Sequence, residues 1–233
     1  RGGSCYLPHH GVLKEDSVTT KLRVVFDGSA LTSTGISLNE KLLIGPSLQN
    51  DIRDLFLRWR GHRICLVGDI QRMYRQILVR KEDTDVQRIV WRRTPDGPIE
   101  DWRLRTVTYG TSSAPYLAIK TLRQLANDER EKYPRAAHVL ESDFYTDDLL
   151  SGGETEDEVI SLRSELSQLL NSGGFVLHKW GSNSINVLQN ISGNSSLQES
   201  HEISMGNSVK ALGIKWKPKE DCFQLHIHFS QIK

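Results

Sequence analysis

The chain predicts an α+β fold, with an antiparallel sheet packed on helices, from three observations. Short apolar strands alternate with amphipathic helical stretches. Turn residues between neighbouring strands mark antiparallel hairpins. One of those hairpins carries two adjacent carboxylates, Asp147 and Asp148, at its tip.

Taken in order, residues 12–27 read as two strands about a polar turn, with Val12-Leu13 leading in and Leu22 to Phe26 returning. Ser47 to Arg60 reads as a helix with Leu48, Ile52, Leu55, Phe56 and Trp59 on one stripe, Ser47 as its N-cap and Gly61 as its stop. Strand 63–69 follows and ends on Asp69. Val86–Trp91 and Trp102–Tyr109 form the next hairpin, with Pro95-Asp96-Gly97-Pro98 as the turn. Gly110 breaks the strand, and a glycine there allows backbone to approach a ligand closely. A helix capped by Thr111 or Ser113 then runs to about Glu131, with Leu117, Ile119, Leu122 and Leu125 as buried candidates.

Strands Leu140–Tyr145 and Leu149–Ser151 flank the aspartate turn. Thr155-Glu156-Asp157-Glu158 is a capping box opening a helix that Gly173-Gly174 ends. Phe175 to Trp180 is a strand, and residues 181–208, rich in Asn, Ser and Gly, read as a long loop. Val209–Trp216 and Cys222–Phe229 make a terminal hairpin, with His226 and His228 on its outward face as solvated residues.

Composition excludes some classes of function. No apolar run reaches the length of a membrane span, which predicts no membrane partner. Cys5, Cys65 and Cys222 lie far apart with no zinc-ligand spacing, as expected of a reduced, intracellular protein. The formal net charge is +1, but it is unevenly spread. Residues 53–105 hold 13 Lys or Arg against 8 Asp or Glu, and residues 128–165 hold 12 Asp or Glu against 4 Lys or Arg. A basic surface beside an acidic centre suits phosphate-bearing partners, although two solvated faces would look the same.

Tyr145-Thr146-Asp147-Asp148 is flanked by apolar Phe144, Leu149 and Leu150. Adjacent carboxylates repel and are costly to bury without a cation between them. With Asp69, three aspartates at the ends of two strands can bind two magnesium ions for in-line phosphoryl transfer.

The order Asp69, Gly110 with Pro115, Asp147-Asp148, Gly174-Phe175 with Lys179, then Leu212-Gly213 resembles the palm motifs of reverse transcriptases. Local wording is similar to one branch, the Bel-Pao long-terminal-repeat retrotransposons. It is found in Tyr6-Leu7-Pro8-His9-His10-Gly11-Val12, Arg23-Val24-Val25-Phe26-Asp27-Gly28-Ser29, Gly68-Asp69-Ile70-Gln71-Arg72-Met73-Tyr74-Arg75-Gln76 and Tyr109-Gly110-Thr111-Ser112-Ser113-Ala114-Pro115.

The resemblance covers nearly the whole chain and implies a right-hand palm with inserted fingers and no thumb. Fingers are expected over 1–62 and 81–108, palm over 63–80 and 109–208, and a primer-grip hairpin over 209–233. Arg1 and Lys233 then read as cuts through a Pol polyprotein, with a protease before them and RNase H and integrase after. The implied activity is a nucleotidyltransferase, an RNA-directed DNA polymerase adding dNTPs to a primer on an RNA or DNA template. As this piece alone it would be inactive or poorly active. The implied place is the cytoplasm, within virus-like particles.

By the same resemblance Asp69, Asp147, Asp148 and the Ile70 carbonyl would hold two Mg2+, with Mn2+ as a substitute. Lys14 and Arg23, with Lys21 nearby, would meet the triphosphate. Tyr109 and Gly110 would frame the nucleotide, Lys179 would protonate pyrophosphate, and Leu212-Gly213 would position the primer. Charged turn residues, a strand lysine and a half-buried tyrosine also have ordinary structural readings. By the resemblance, Tyr74, five residues after Asp69, would stand where a bulky ring excludes a ribose hydroxyl. RNA-directed RNA polymerases usually carry a small or polar group there, and they are one alternative. A noncatalytic nucleic-acid-binding remnant of a retroelement is the other.

Overall fold

The structure, a computed structural model, describes residues 3–13, 22–189, 209–212 and 214–224. It falls into two compact units, Arg1–Leu48 with Arg72–Thr121, and Gln49–Gln71 with Leu122–Lys233.

The first unit contains two antiparallel ribbons. β1 (His9–Leu13) pairs with β2 (Leu22–Phe26), and β4 (Arg88–Trp91) pairs with β5 (Glu100–Arg103). Three short helical turns join them: α1 (Leu38–Lys41), α3 (Met73–Gln76) and a 3-10 turn (Lys81–Val86). Ser37 and Glu40 form a capping box on α1. Leu7, Phe26 and Leu38 are buried together, with Ile89, Leu104 and Tyr109 against them. Arg88 ties the ribbon to the preceding turn by pairing with both Asp85 and Asp101.

The second unit is built on a four-stranded antiparallel sheet in the order β6-β7-β3-β8. These strands are β3 (Ile64–Ile70), β6 (Phe144–Tyr145), β7 (Asp148–Gly153) and β8 (Leu177–Ser182). Helices α2 (Ile52–Gly61), α5 (Pro134–Ser142), α6 (Glu156–Ser172) and α7 (Ile185–Gln189) surround it. α6 opens on the Thr155–Glu158 capping box and buries Val159, Leu162, Leu166, Leu169 and Leu170. A three-stranded sheet, β9 (Val209–Ala211), β10 (Ile214–Lys217) and β11 (Cys222–Gln224), completes it. Trp216 packs edge-on to Trp59 at 5.0 Å within a buried cluster of Leu55, Cys65, Val67 and Leu150. Arg60 donates twice to Asp221, fastening the β10–β11 turn to α2. α4 (Ala114–Asp128) begins in the first unit and ends in the second.

Several elements differ from the sequence reading. α2 starts at Ile52 with Asp51, not Ser47, as its cap: the Asp51 carboxylate accepts from the Arg53 N–H at 2.8 Å. Gly61 is its last residue, and His62 caps it. Segment 134–142 is a helix, although Leu140 onward was expected as a strand; Pro134 at its first turn suits that start. Along α4 the buried positions are Ala114, Ala118, Leu122 and Ala126, while Leu117 is exposed. Lys81–Val86 is a 3-10 turn, so β4 begins at Arg88, and β5 covers Glu100–Arg103 rather than reaching Tyr109. β8 continues to Ser182 and α7 follows, both within the expected loop. The strand expected over 209–216 is two strands broken at Leu212. His226 and His228 lie outside the described residues.

Candidate active site

β3, an inner strand, delivers Asp69 to one end of the sheet, one residue before the strand ends. The register sets Asp69 opposite Asp148 on β7 and opposite His178 on β8. Directly opposed residues of antiparallel strands share a face, so two carboxylates and an imidazole stand in one row. Asp147 lies in the two-residue turn closed by the Tyr145–Asp148 pair. Thr146 takes the left-handed conformation there, φ 56°. Its N–H donates to Gln49 Oε1 at 3.1 Å, and the Ile70 N–H donates to the Asp147 carbonyl at 2.8 Å. The turn is thereby fastened to the end of β3.

The local electrostatics follow from crowding. Burial, then the charges of Asp147 and Asp69, push the Asp148 carboxyl up to about 7, against a lowering hydrogen bond from the Leu212 backbone N–H. Asp147 is also raised, first by burial and then by Asp69. Asp69 is engaged on both oxygens: His178 Nε2 lies 2.6 Å from Oδ1 and Lys179 Nζ 3.3 Å from Oδ2.

Successive strand residues ordinarily point to opposite faces, so one carboxylate should not meet both 178 and 179. A bulge permits it. β3 advances from Val67 to Asp69 while β8 moves from Gly181 to His178, one residue more, and Lys179 takes φ 52°. Gly68 makes room beside it; a Cβ there would sit 3.2 Å from the Trp180 ring.

Among the described residues, no three His, Cys, Asp or Glu side chains are already converged on one ion position. The donor chemistry nevertheless fits a divalent cation. Three carboxylates interact at one end of the sheet, and two of them are held above their ordinary range by burial and mutual charge.

The structure thus brings together Asp69, Asp147, Asp148, Lys179 and the Leu212 backbone. Ile70 is buried beside them. In the first unit the Tyr109 hydroxyl donates to the Val24 carbonyl at 2.5 Å, and its ring meets Phe26 edge-on at 5.4 Å. Gly110 has φ 92°, and any Cβ would overlap the Phe26 carbonyl. Arg23 is exposed on β2 opposite Val12, and Tyr74 is half-buried on α3. Lys14, Lys21 and Gly213 lie outside the described residues.

Two residues escaped the sequence reading. Asn39 donates to the Gly110 carbonyl at 3.1 Å and accepts from the Ser112 N–H at 2.8 Å, locking that turn. His178 was hidden because strand alternation gives no sign of a bulge.

No protein-family model matches the sequence, and no curated protein is detectably similar to it. Solved structures do match. The foamy viral protease-reverse transcriptase dRH in complex with ds DNA aligns at TM-score 0.53 and 18% identity. The match covers 76% of this chain and 27% of that one. The foamy viral protease-reverse transcriptase in complex with RNA/DNA hybrid aligns at 0.54 and 15%, over 74% and 20%. The fold is reverse-transcriptase-like. The chain spans about a quarter of the first relative's length and a fifth of the second's.

Proposed function

We propose that this chain is the fingers-palm region of an RNA-directed DNA polymerase from a Bel-Pao-like retroelement. The observation that carries the proposal is the placement of Asp69, Asp147 and Asp148 at one end of the central sheet of a reverse-transcriptase-like fold. Residues 1–62 and 81–108 are read as fingers, 63–80 and 109–208 as palm, and 209–233 as the primer-grip hairpin. Template, primer, dNTPs and the rest of a Pol polyprotein are its proposed partners.

Asp69, Asp147 and Asp148, with the Ile70 carbonyl, would hold the divalent cations. Those ions, Mg2+ or Mn2+, would supply activation of the primer hydroxyl and neutralisation of the triphosphate. The chain's own groups do the rest. Arg23 offsets phosphate charge. Lys179, exposed enough to leave Asp69, delivers a proton to the departing pyrophosphate. The Leu212 turn places the primer end, and Tyr74 selects the sugar.

Asp147→Asn tests the reading. In the full-length polymerase it is expected to abolish primer extension while leaving template binding within about twofold, since the Lys and Arg side chains of residues 53–105 are untouched. Extension near the wild-type rate would overturn the assignment. One observation favours a noncatalytic nucleic-acid-binding chain instead: both Asp69 oxygens are engaged by His178 and Lys179. Ion binding separates the two readings.

A further inference from the structure

Asp69 is held by two neighbours of unlike character. Lys179 is long, 42% exposed along its side chain and 3.3 Å away, so it can withdraw at little cost. His178 is short, 15% exposed, and its Nε2 lies 2.6 Å from Oδ1. A carboxylate oxygen only accepts, so Nε2 carries the hydrogen in this contact. An aspartate's terminal torsion is broad and roughly twofold, so a free carboxylate presents either oxygen in many orientations. A short donor on one oxygen removes that freedom, and a donor to a charged acceptor is among the stronger hydrogen bonds.

We propose that His178 is a positioning residue for Asp69: by donating to Oδ1 it fixes the carboxylate so that Oδ2, beside Lys179, is the oxygen offered to a divalent cation. The inference rests on reading the three aspartates as a cation site. The bulge gives it a structural basis, because it places the stationary donor and the removable cation on different oxygens of one carboxylate. Lys179 supplies positive charge to Oδ2 when no ion is there and yields that oxygen when one arrives. Hydrogen bonds from neighbouring residues to metal ligands commonly govern affinity in this way.

Mn2+ titration of the whole chain, followed by loss of the free-ion electron paramagnetic resonance signal, tests the proposal without any turnover. His178→Ala is expected to weaken Mn2+ binding on the order of tenfold to a hundredfold. His178→Gln, whose amide nitrogen reaches the place of Nε2, is expected to restore affinity to within about threefold of wild type. If the Ala variant does not fold, His178→Phe keeps a ring of similar bulk without the donor and is expected to show the same loss. Wild-type affinity in the Ala or Phe variant overturns the proposal, as does a Gln variant no better than Ala. These results leave the polymerase reading standing if Asp147→Asn still abolishes extension. Failure of the wild-type chain to bind Mn2+ overturns both.

Discussion

Asp148 carries the largest electrostatic burden in the candidate site, and its behaviour can be read in solution. Its folded pKa of about 7 lies above the ordinary 3.8, with burial the first cause. A raised folded value means the native state holds its proton longer than the unfolded chain. The associated stability is therefore complete below 3.8 and is lost as pH rises through about 7. The metal-free chain is expected to melt lower at pH 8 than at pH 5, with Asp148→Asn flattening that slope. At pH 8 the substitution should stabilise the metal-free fold by on the order of 1–3 kcal/mol. Thermal melts of both proteins across this range, without metal, check it; parallel pH slopes would refute the burial argument. Tyr74 gives a second expectation. Steric exclusion by its ring predicts that Tyr74→Val raises ribonucleotide incorporation roughly a hundredfold, about 3 kcal/mol of discrimination, with deoxynucleotide use falling far less. Single-nucleotide incorporation kinetics decide it, and equal loss of both activities would make Tyr74 a packing residue.

At the scale of elements, the strand pairing around the aspartates depends on close backbone approach. A Cβ on Gly152 would overlap the Ile64 carbonyl and lie 2.7 Å from the His62 Cβ. Gly152→Ala is therefore expected to cost about 1–3 kcal/mol, because backbone must move to admit it. Urea denaturation measures the loss, and a neutral result would mean β3 and β7 pair more loosely than their register implies. The sequence made the signs that act locally legible. The Thr155–Glu158 capping box, the stripe of α6 and the hairpin carrying Asp147 and Asp148 follow from short-range rules. It misled where tertiary context chose. Leu140 sits in a short apolar run that reads equally as strand or helix, and packing of Ala136, Ala137 and Val139 resolves it as helix. Ser47 and Asp51 are both good caps, and only the folded backbone selects the second. The bulge at Lys179 leaves no local mark, so the alignment of His178 with Asp69 could not be foreseen.

For the whole molecule, charge distribution sets the expected behaviour with nucleic acid. The excess of cations over residues 53–105 predicts primer-template binding that weakens steeply with salt. On the polymerase reading proposed above, this chain by itself is expected to extend a primer by a few nucleotides at most. Filter binding from about 50 to 200 mM salt, with a gel-based extension assay, checks both. Salt-insensitive binding would point to apolar contacts, and processive synthesis by this chain alone would contradict the fingers-palm assignment.

Thr146, Lys179, Leu212 and Asp221 all hold φ values near 50°, conformations that side-chain-bearing residues adopt at a cost. Three of them border the carboxylates, where Asp147 and Asp148 already oppose one another. Lys179→Gly, like Asp148→Asn, would relax the native state while removing a group the proposed chemistry uses. Selection for heat resistance alone should therefore enrich changes at this end of the sheet and return hardy, inert proteins. Robustness and turnover pull against each other at the same few positions.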